Sequence, residues 1–232
     1  MKSIIHALGR VYIKELVRRE YAKQSFVRVN ERPIEYRFVF EQLNQLQPRT
    51  ILDVGTGTTA LPQLMRDCGF LVTATDKVHE YWGGPIHNRH YFVIDDDIRQ
   101  SRLTDQFDVV TCISTLEHIP EHEQSVAELF KLLNPGGHLI LTCPFNDRRY
   151  VANVYDEPEA LYGRGSRFIC QSFSHAELER WLAIGGATVA KQEFWRVFSG
   201  DFWAQGELVR PPVRVSRAEN HQHTCLLLQK AA

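Results

Sequence analysis

An α/β fold, a mostly parallel sheet with helices on both faces, is the architecture that this 232-residue sequence predicts. Three observations carry it. Five short apolar runs recur between residues 51 and 143, separated by segments of helical length, which is the pattern of βα units. A glycine turn, Gly55-Thr56-Gly57, follows the first run directly. Near the end the apolar period changes to two, as expected of antiparallel strands that close a sheet.

Taken in order, the elements begin with Ile4-Ile5, Leu8, Tyr12-Ile13 and Leu16-Val17 at helical spacing, which predicts an amphipathic helix. Pro33 opens a second helix carrying Tyr36, Phe38-Val39-Phe40, Leu43 and Leu46. The two are expected to form an N-terminal helical cap over residues 1–48, ahead of a domain spanning 49–232. The strands are expected at 51–54, 71–75, 91–94, 107–112 and 138–143; runs this apolar fit strands buried on both faces. A helix over 121–133 stops at Asn134-Pro135-Gly136-Gly137. Ser174 and Glu177 form a capping box that opens a helix reaching Ile184 and ending at Gly185-Gly186. Residues 187–198 and 224–229 read as the antiparallel pair. Two long irregular stretches, 144–172 and 199–223, are rich in aromatics and arginines, and loops of that length in a compact domain usually carry function.

With 44% hydrophobic and 24% charged residues, the chain can build a packed core. A formal net charge of -1 argues against nucleic acid held by a global positive field. The first 32 residues are locally basic, with Lys2, Arg10, Lys14, Arg18, Arg19, Lys23, Arg28 and Arg32 against Glu15, Glu20 and Glu31. That is a solvated helix face, or else a surface for a membrane or an anionic partner. Cys68, Cys112, Cys143, Cys170 and Cys225 are odd in number and never paired as C-x-x-C. Reduced thiols in a cytoplasm, without a zinc site or a disulfide framework, are therefore expected. No apolar run approaches the ~20 residues of a transmembrane helix.

The turn raises the question of which nucleotide it serves. Its glycines permit close approach and direct backbone N–H groups at a ligand. In dinucleotide sites that ligand is a pyrophosphate, which Asp53 would repel; a carboxylate there suits a cationic group. Asp76 ends the second apolar run, about 20 residues after the turn, where an acid accepts hydrogen bonds from ribose hydroxyls.

Five blocks in order, ILDVGTGTTAL, TATD, VIDDDI, FDVVTCISTLEHIP and LLNPGGHLILTCPF, give residues 50–145 a strong resemblance to class I S-adenosylmethionine-dependent methyltransferases of the small-molecule type. The resemblance implies a Rossmann-like seven-stranded sheet of order 3-2-1-4-5-7-6 with strand 7 antiparallel. It also implies a cofactor site in which Asp53 serves the methionine ammonium and Gly55, Thr56 and Gly57 form the floor. Asp76, with Lys77 beside it, takes the ribose; Asp97 and Ile98, with Asp96 as the neighbouring candidate, take the adenine; Ile113 and Ser114 line the other side.

A sulfonium methyl is already activated, so no metal or covalent nucleophile is expected. His118, after the fourth strand, is the candidate general base for a hydroxyl acceptor, ahead of His175, His221 and His223. Arg148, Arg149, Tyr150, Tyr162, Arg167 and Trp203 in the two long stretches are the candidate acceptor-binding residues, with Arg164, Tyr155, Phe198 and Phe202 nearby. The expected activity is methylation of a small polar metabolite, an oxygen acceptor such as a sugar or secondary-metabolite hydroxyl being preferred. N-methylation, a macromolecular acceptor, a nicotinamide oxidoreductase and a cofactor-binding protein without turnover are the alternatives. A homodimer is compatible with the sequence.

Overall fold

Strands that are apolar on both sides need cover on both sides, and the chain supplies it. The computed structural model describes residues 2–22, 30–78 and 88–232. Its contacts divide it into two compact units, residues 1–30 and 31–232. The first holds α1 (Lys2–Ala22). The second begins with α2 (Arg32–Leu46), which has proline in its first turn as expected.

The sheet is built from β1 (Thr50–Val54), β2 (Leu71–Asp76), β3 (Ile94–Asp95), β4 (Phe107–Ile113), β5 (Leu133–Pro144), β6 (Ala187–Phe198), β7 (Leu208–Val215) and β8 (His223–Lys230). They lie in the order β3-β2-β1-β4-β5-β8-β6-β7. The first five are parallel. β8 inserts antiparallel between β5 and β6, so the Rossmann-like arrangement implied by the resemblance is present with one strand added outside it.

Alternation along the strands divides the core in two. Leu52, Val54, Val110, Cys112, Leu139 and Leu141 share a buried cluster with Val126 and Leu129 of α4 (His122–Lys131) and with Leu178 and Trp181 of α5 (His175–Gly185). Ile51, Val109, Ile113 and Ile140 share the other with Phe38, Val39 and Leu43 of α2 and with Leu61 and Met65 of α3 (Leu61–Asp67). The capping box of α5 is formed, and Gly186 ends that helix at φ 56°.

Three expectations are corrected. The stretch 199–223 is not irregular throughout, because Leu208–Val215 pairs antiparallel with β6 and gives the sheet eight strands. Pro211 and Pro212 hide it in the sequence, yet proline is tolerated on an edge strand, where one row of N–H groups needs no partner. The third strand is only Ile94–Asp95; Tyr91 leaves the ladder and donates its hydroxyl to the Val72 carbonyl at 2.7 Å. The Asn134-Pro135-Gly136-Gly137 turn is absorbed into β5 as an irregularity opposite Phe107 and Val109, with Gly136 at φ 73°.

Candidate functional site

The carboxyl ends of β1, β2 and β4 meet beneath the glycine turn, which is where open α/β sheets place ligands. Gly55 and Gly57 have φ of 74° and 57°, and a Cβ on Gly55 would sit 2.1 Å from the Thr115 side chain. Only glycine fits there.

The turn is closed onto β2. Gly55 and Thr56 donate their N–H groups to the Thr75 carbonyl at 2.9 and 3.2 Å, and Gly57 donates to Asp76 Oδ2 at 2.6 Å. The expectation that these N–H groups point at a ligand is thus corrected: they are spent inside the protein. A pyrophosphate would have to compete with a carboxylate and a carbonyl for them, which disfavours a dinucleotide.

Asp53 lies under the turn, 2% exposed, and accepts hydrogen bonds from Thr111 Oγ1 at 2.6 Å and Thr56 Oγ1 at 2.7 Å. Burial outweighs both bonds and pushes its carboxyl up to about 6. It faces a small cavity of about 20 Å³ shared with Arg32, Tyr36 and Ile113, beneath the main one.

The main cavity, about 570 Å³, is lined by Gly55, Thr56, Gly57, Asp76, Lys77, Asp96, Asp97, Ile98, Ser114, His118 and Tyr155 among the residues singled out by sequence. The three consecutive aspartates have separate tasks. Asp95 Oδ1 accepts the Val78 N–H at 3.0 Å. Asp96 accepts from Ser101 Oγ at 2.6 Å and from the Arg102 N–H at 3.0 Å. Asp97 caps the 3-10 turn Ile98–Gln100 and pairs with Arg99 at 2.7 Å and Lys77 at 3.1 Å. The Arg99 guanidinium chiefly holds its carboxyl well below the usual range.

His118 sits in the 3-10 turn Leu116–His118 that follows β4. Its Nδ1 is 2.7 Å from the Ile169 carbonyl oxygen, which can only accept, so Nδ1 carries the proton and Nε2 is the basic nitrogen. Burial lowers its pKa, so the ring is neutral at neutral pH. Gln171 donates its backbone N–H to the Glu117 carbonyl at 2.9 Å and its side-chain amide to the Ile119 carbonyl at 2.7 Å. These bonds clamp residues 144–172 over the turn, and that segment brings Tyr155, Ser166 and Phe168 to the cavity wall.

The six acceptor candidates lie elsewhere among the described residues. Arg148 pairs with Asp201, and Arg149 pairs with Glu157 at 2.7 Å and stacks on Phe202. Tyr150 donates to Gln171. Tyr162 packs on Phe198, Arg167 lies over the Phe168 ring, and Trp203 is 5.6 Å from the His223 ring. His175 pairs with Asp147 at 2.6 Å, and His221 and His223 are buried. The wall residues that sequence reasoning missed include Arg32, Arg99, Thr115, Ile119, Pro120 and Phe168. Thr115, Ile119 and Pro120 lie within the FDVVTCISTLEHIP block, which was the legible signal for them.

Glu117 gives a pH test of the site's support. It is 3% exposed, its Oε2 lacks a hydrogen-bond partner, and burial pushes its carboxyl from 4.5 up to about 8. A raised carboxyl contributes stability that is fully present below pH 4.5 and is lost as pH rises through about 8. Glu117→Gln keeps the shape without the charge. We expect it to raise the melting temperature at pH 9 and to change it little at pH 4.5; equal shifts at both would contradict the assignment.

No group of three or more His, Cys, Asp or Glu placed to hold a metal ion occurs among the described residues, and none of their helices is long and apolar enough to cross a membrane.

A family model described as "Methyltransferase domain" matches residues 21–192. A ubiquinone biosynthesis O-methyltransferase of Pseudomonas fluorescens is 28% identical over 169 residues, covering 68% of this chain and 72% of that protein. A protein of the same name from Alkalilimnicola ehrlichii is 28% identical over 161 residues, covering 64% of each. Among solved structures, a Burkholderia thailandensis 1,6-didemethyltoxoflavin-N1-methyltransferase with bound S-adenosylhomocysteine aligns at TM-score 0.58 and 16% identity, over 98% of this chain and 90% of that one. A Synechocystis magnesium protoporphyrin IX methyltransferase with bound S-adenosylmethionine aligns at 0.52 and 15% identity, over 97% and 96%.

Proposed function

The chain belongs to the methyltransferase-domain family and is an S-adenosylmethionine-dependent methyltransferase; from that premise we propose that it methylates a hydroxyl of a small molecule. The observation that carries the proposal is neutral His118, its Nε2 left basic by the Nδ1 bond to Ile169, on the wall of a cavity that residues 144–172 help to enclose. The relatives named for O-methylation support an oxygen acceptor.

The donor set fits the cofactor. A glycine turn whose N–H groups are spent on Thr75 and Asp76 suits a ligand without phosphate; the carboxylates of Asp76 and Asp97 on the main cavity suit a ribose diol and an adenine amine, and that of Asp53 in the small cavity suits an ammonium reached indirectly. When bound, the cofactor supplies a methyl group activated by its sulfonium. Asp76 accepts from the ribose hydroxyls while its bond to Gly57 fixes the turn. Asp53 serves the ammonium through Thr56 or water, since the turn stands between it and the main cavity. Asp97 and the Ile98 N–H take the adenine, with Asp96 holding the segment. Ile119, Pro120 and Phe168 would exclude water around the acceptor, and His118 Nε2 would take the proton of the acceptor hydroxyl.

Methyl-labelled cofactor offered with sugar and phenol hydroxyl compounds, and separately with RNA and protein, tests the acceptor class. Label confined to macromolecules would overturn it. With the small acceptor found, His118→Ala should lower kcat by about 100-fold and flatten the rise of rate with pH. A fall below about tenfold with an unchanged profile would remove His118 from catalysis.

A further inference from the structure

Residues 161–168 form an exposed strap that closes one side of the cavity. Its ends are tied down: the Leu161 N–H donates to the Ala204 carbonyl at 2.9 Å, the Val154 N–H donates to the Cys170 carbonyl at 2.8 Å, and the Ile169 carbonyl holds His118. Between these anchors residues 161–167 are all exposed, yet Ser166 and Phe168 line the same cavity as His118. The strap is also seated on a wall residue, because a Cβ on Gly163, at φ 75°, would fall 2.2 Å from the Tyr155 ring.

Its charge sets it apart from the rest of the wall. The arginines and the lysine that line the cavity are neutralised by carboxylates: Arg32 by Glu35 at 2.9 Å, Lys77 by Asp97 at 3.1 Å, and Arg99 by Asp97 at 2.7 Å and Glu121 at 3.1 Å. Residues 161–168 read LYGRGSRF, with two arginines and no acid. Arg164 donates to the Pro158 carbonyl, which carries no charge. Arg167 forms no ion pair among the described residues; its guanidinium lies over the Phe168 ring, 5.2 Å from the centroid. Resting there, the planar group can still present its N–H fork to an oxyanion. The acids of the wall, Asp76, Asp96 and Asp97, stand at or just beyond the ends of β2 and β3, whereas the strap is bonded to the turn after β4. An anionic group is therefore favoured at the strap end of the cavity and disfavoured at the other.

We propose that Arg167 determines acceptor specificity by binding an oxyanion, a carboxylate or a phosphate, carried by the same small molecule as the reacting hydroxyl, a role that rests on this cavity being the site of hydroxyl methylation. The guanidinium fork matches either oxyanion through two parallel N–H donors, so the contact is directional as well as strong. Bound there, the anion fixes one end of the acceptor along the Phe168 wall, and the hydroxyl at the other end is offered to His118 Nε2. Neutral sugars and phenols lack that hold.

Titration calorimetry of the full chain saturated with S-adenosylhomocysteine, using hydroxybenzoate, hydroxyphenyl phosphate and the methyl ester of hydroxybenzoate, tests this. At least one of the two anions should bind more tightly than the ester by roughly tenfold or more, and the difference should shrink at high salt. The preferred anion tells a carboxylate site from a phosphate site. Arg167→Ala should abolish the preference, and Arg167→Lys should restore part of it, because lysine keeps the charge but not the fork. Arg164→Ala should retain it. Affinity for S-adenosylhomocysteine alone reports that each variant is folded. Anions that do not bind, or bind no better than the ester, overturn the proposal, as does a preference that survives Arg167→Ala. So does an equal loss in Arg164→Ala, because the strap then acts only through its summed charge. Hydroxyl methylation itself fails on a different result, in which no small hydroxyl compound, acid or ester, accepts labelled methyl while these affinities stand.

Discussion

Asp76→Ala is expected to lower the affinity for S-adenosylhomocysteine by about 100-fold or more and to abolish measurable methyl transfer. Two losses combine. The carboxylate is proposed to accept from the ribose hydroxyls, and a hydrogen bond to a charged group is worth about 1.5 to 3 kcal/mol. The same carboxylate accepts the Gly57 N–H at 2.6 Å, so its removal also leaves a backbone donor of the turn without its partner. Titration calorimetry of the wild type and variant gives the affinity ratio. Asp76→Asn separates the two losses: its amide oxygen can still accept from Gly57 but carries no charge, so it should fall between wild type and alanine. If alanine binds within about fivefold of wild type, Asp76 is not the ribose ligand, since a single charged hydrogen bond is worth more than that. Thermal unfolding of the apo-proteins shows how much of the loss comes from the turn itself.

What could be read in the sequence follows from what constrains a residue locally. Gly55 and Gly57 were legible because positive φ and the close approach of Thr115 allow little else there. Asp76 was legible through its spacing from the turn, and the central strands through apolar runs that no one-sided sheet would need. The acceptor side was not. Residues 144–172 have no period, so their arginines and tyrosines could be chosen only by type; the fold spends Arg148 and Arg149 on ion pairs and, of the tyrosines named there, brings Tyr155 inward, beside Ser166 and Phe168 that were not named. Which of them turns inward depends on the clamp of Gln171 and His118 on segments about 50 residues apart, a tertiary relation that local sequence does not encode. The N–H groups of the turn were misjudged for a related reason. Glycines announce a tight backbone, but the destination of its hydrogen bonds is decided by Thr75 and Asp76 on the neighbouring strand.

Arg32 and Glu35 were missed because a charged residue in a helix ordinarily faces water, and this exception makes the second large effect. Glu35 is fully buried on the sheet face beneath α2. Its Oε1 accepts from Ser114 Oγ and from Thr142 Oγ1 at 2.7 Å, and its Oε2 accepts from Arg32 Nη1 at 2.9 Å. His223 Nε2 lies 3.4 Å from Oε1, an ion-pair distance without hydrogen-bond geometry. The carboxylate therefore joins α2 to the ends of β4, β5 and β8, and it holds both Ser114, at φ 44°, and Arg32 on the cavity wall. Burial works against its ionisation, but His223, Arg32 and Ser114 together outweigh burial and hold the carboxyl down to about 2, from an ordinary 4.5. Glu35→Ala leaves two hydroxyls, a histidine and a guanidinium facing a void, and should destabilise the protein by about 3 to 5 kcal/mol. It should also weaken cofactor binding, because Ser114 and Arg32 lose their anchor. The pH dependence identifies the cause. A lowered carboxyl contributes stability that is present above pH 4.5 and is lost as pH falls through about 2, an effect of about 3 kcal/mol. Chemical denaturation should therefore show wild type and Glu35→Ala converging as pH drops from 4.5 toward 2. A gap that stays constant over that range would mean that the variant measures only the cavity it creates, and that the buried charge contributes nothing to joining α2 to the sheet.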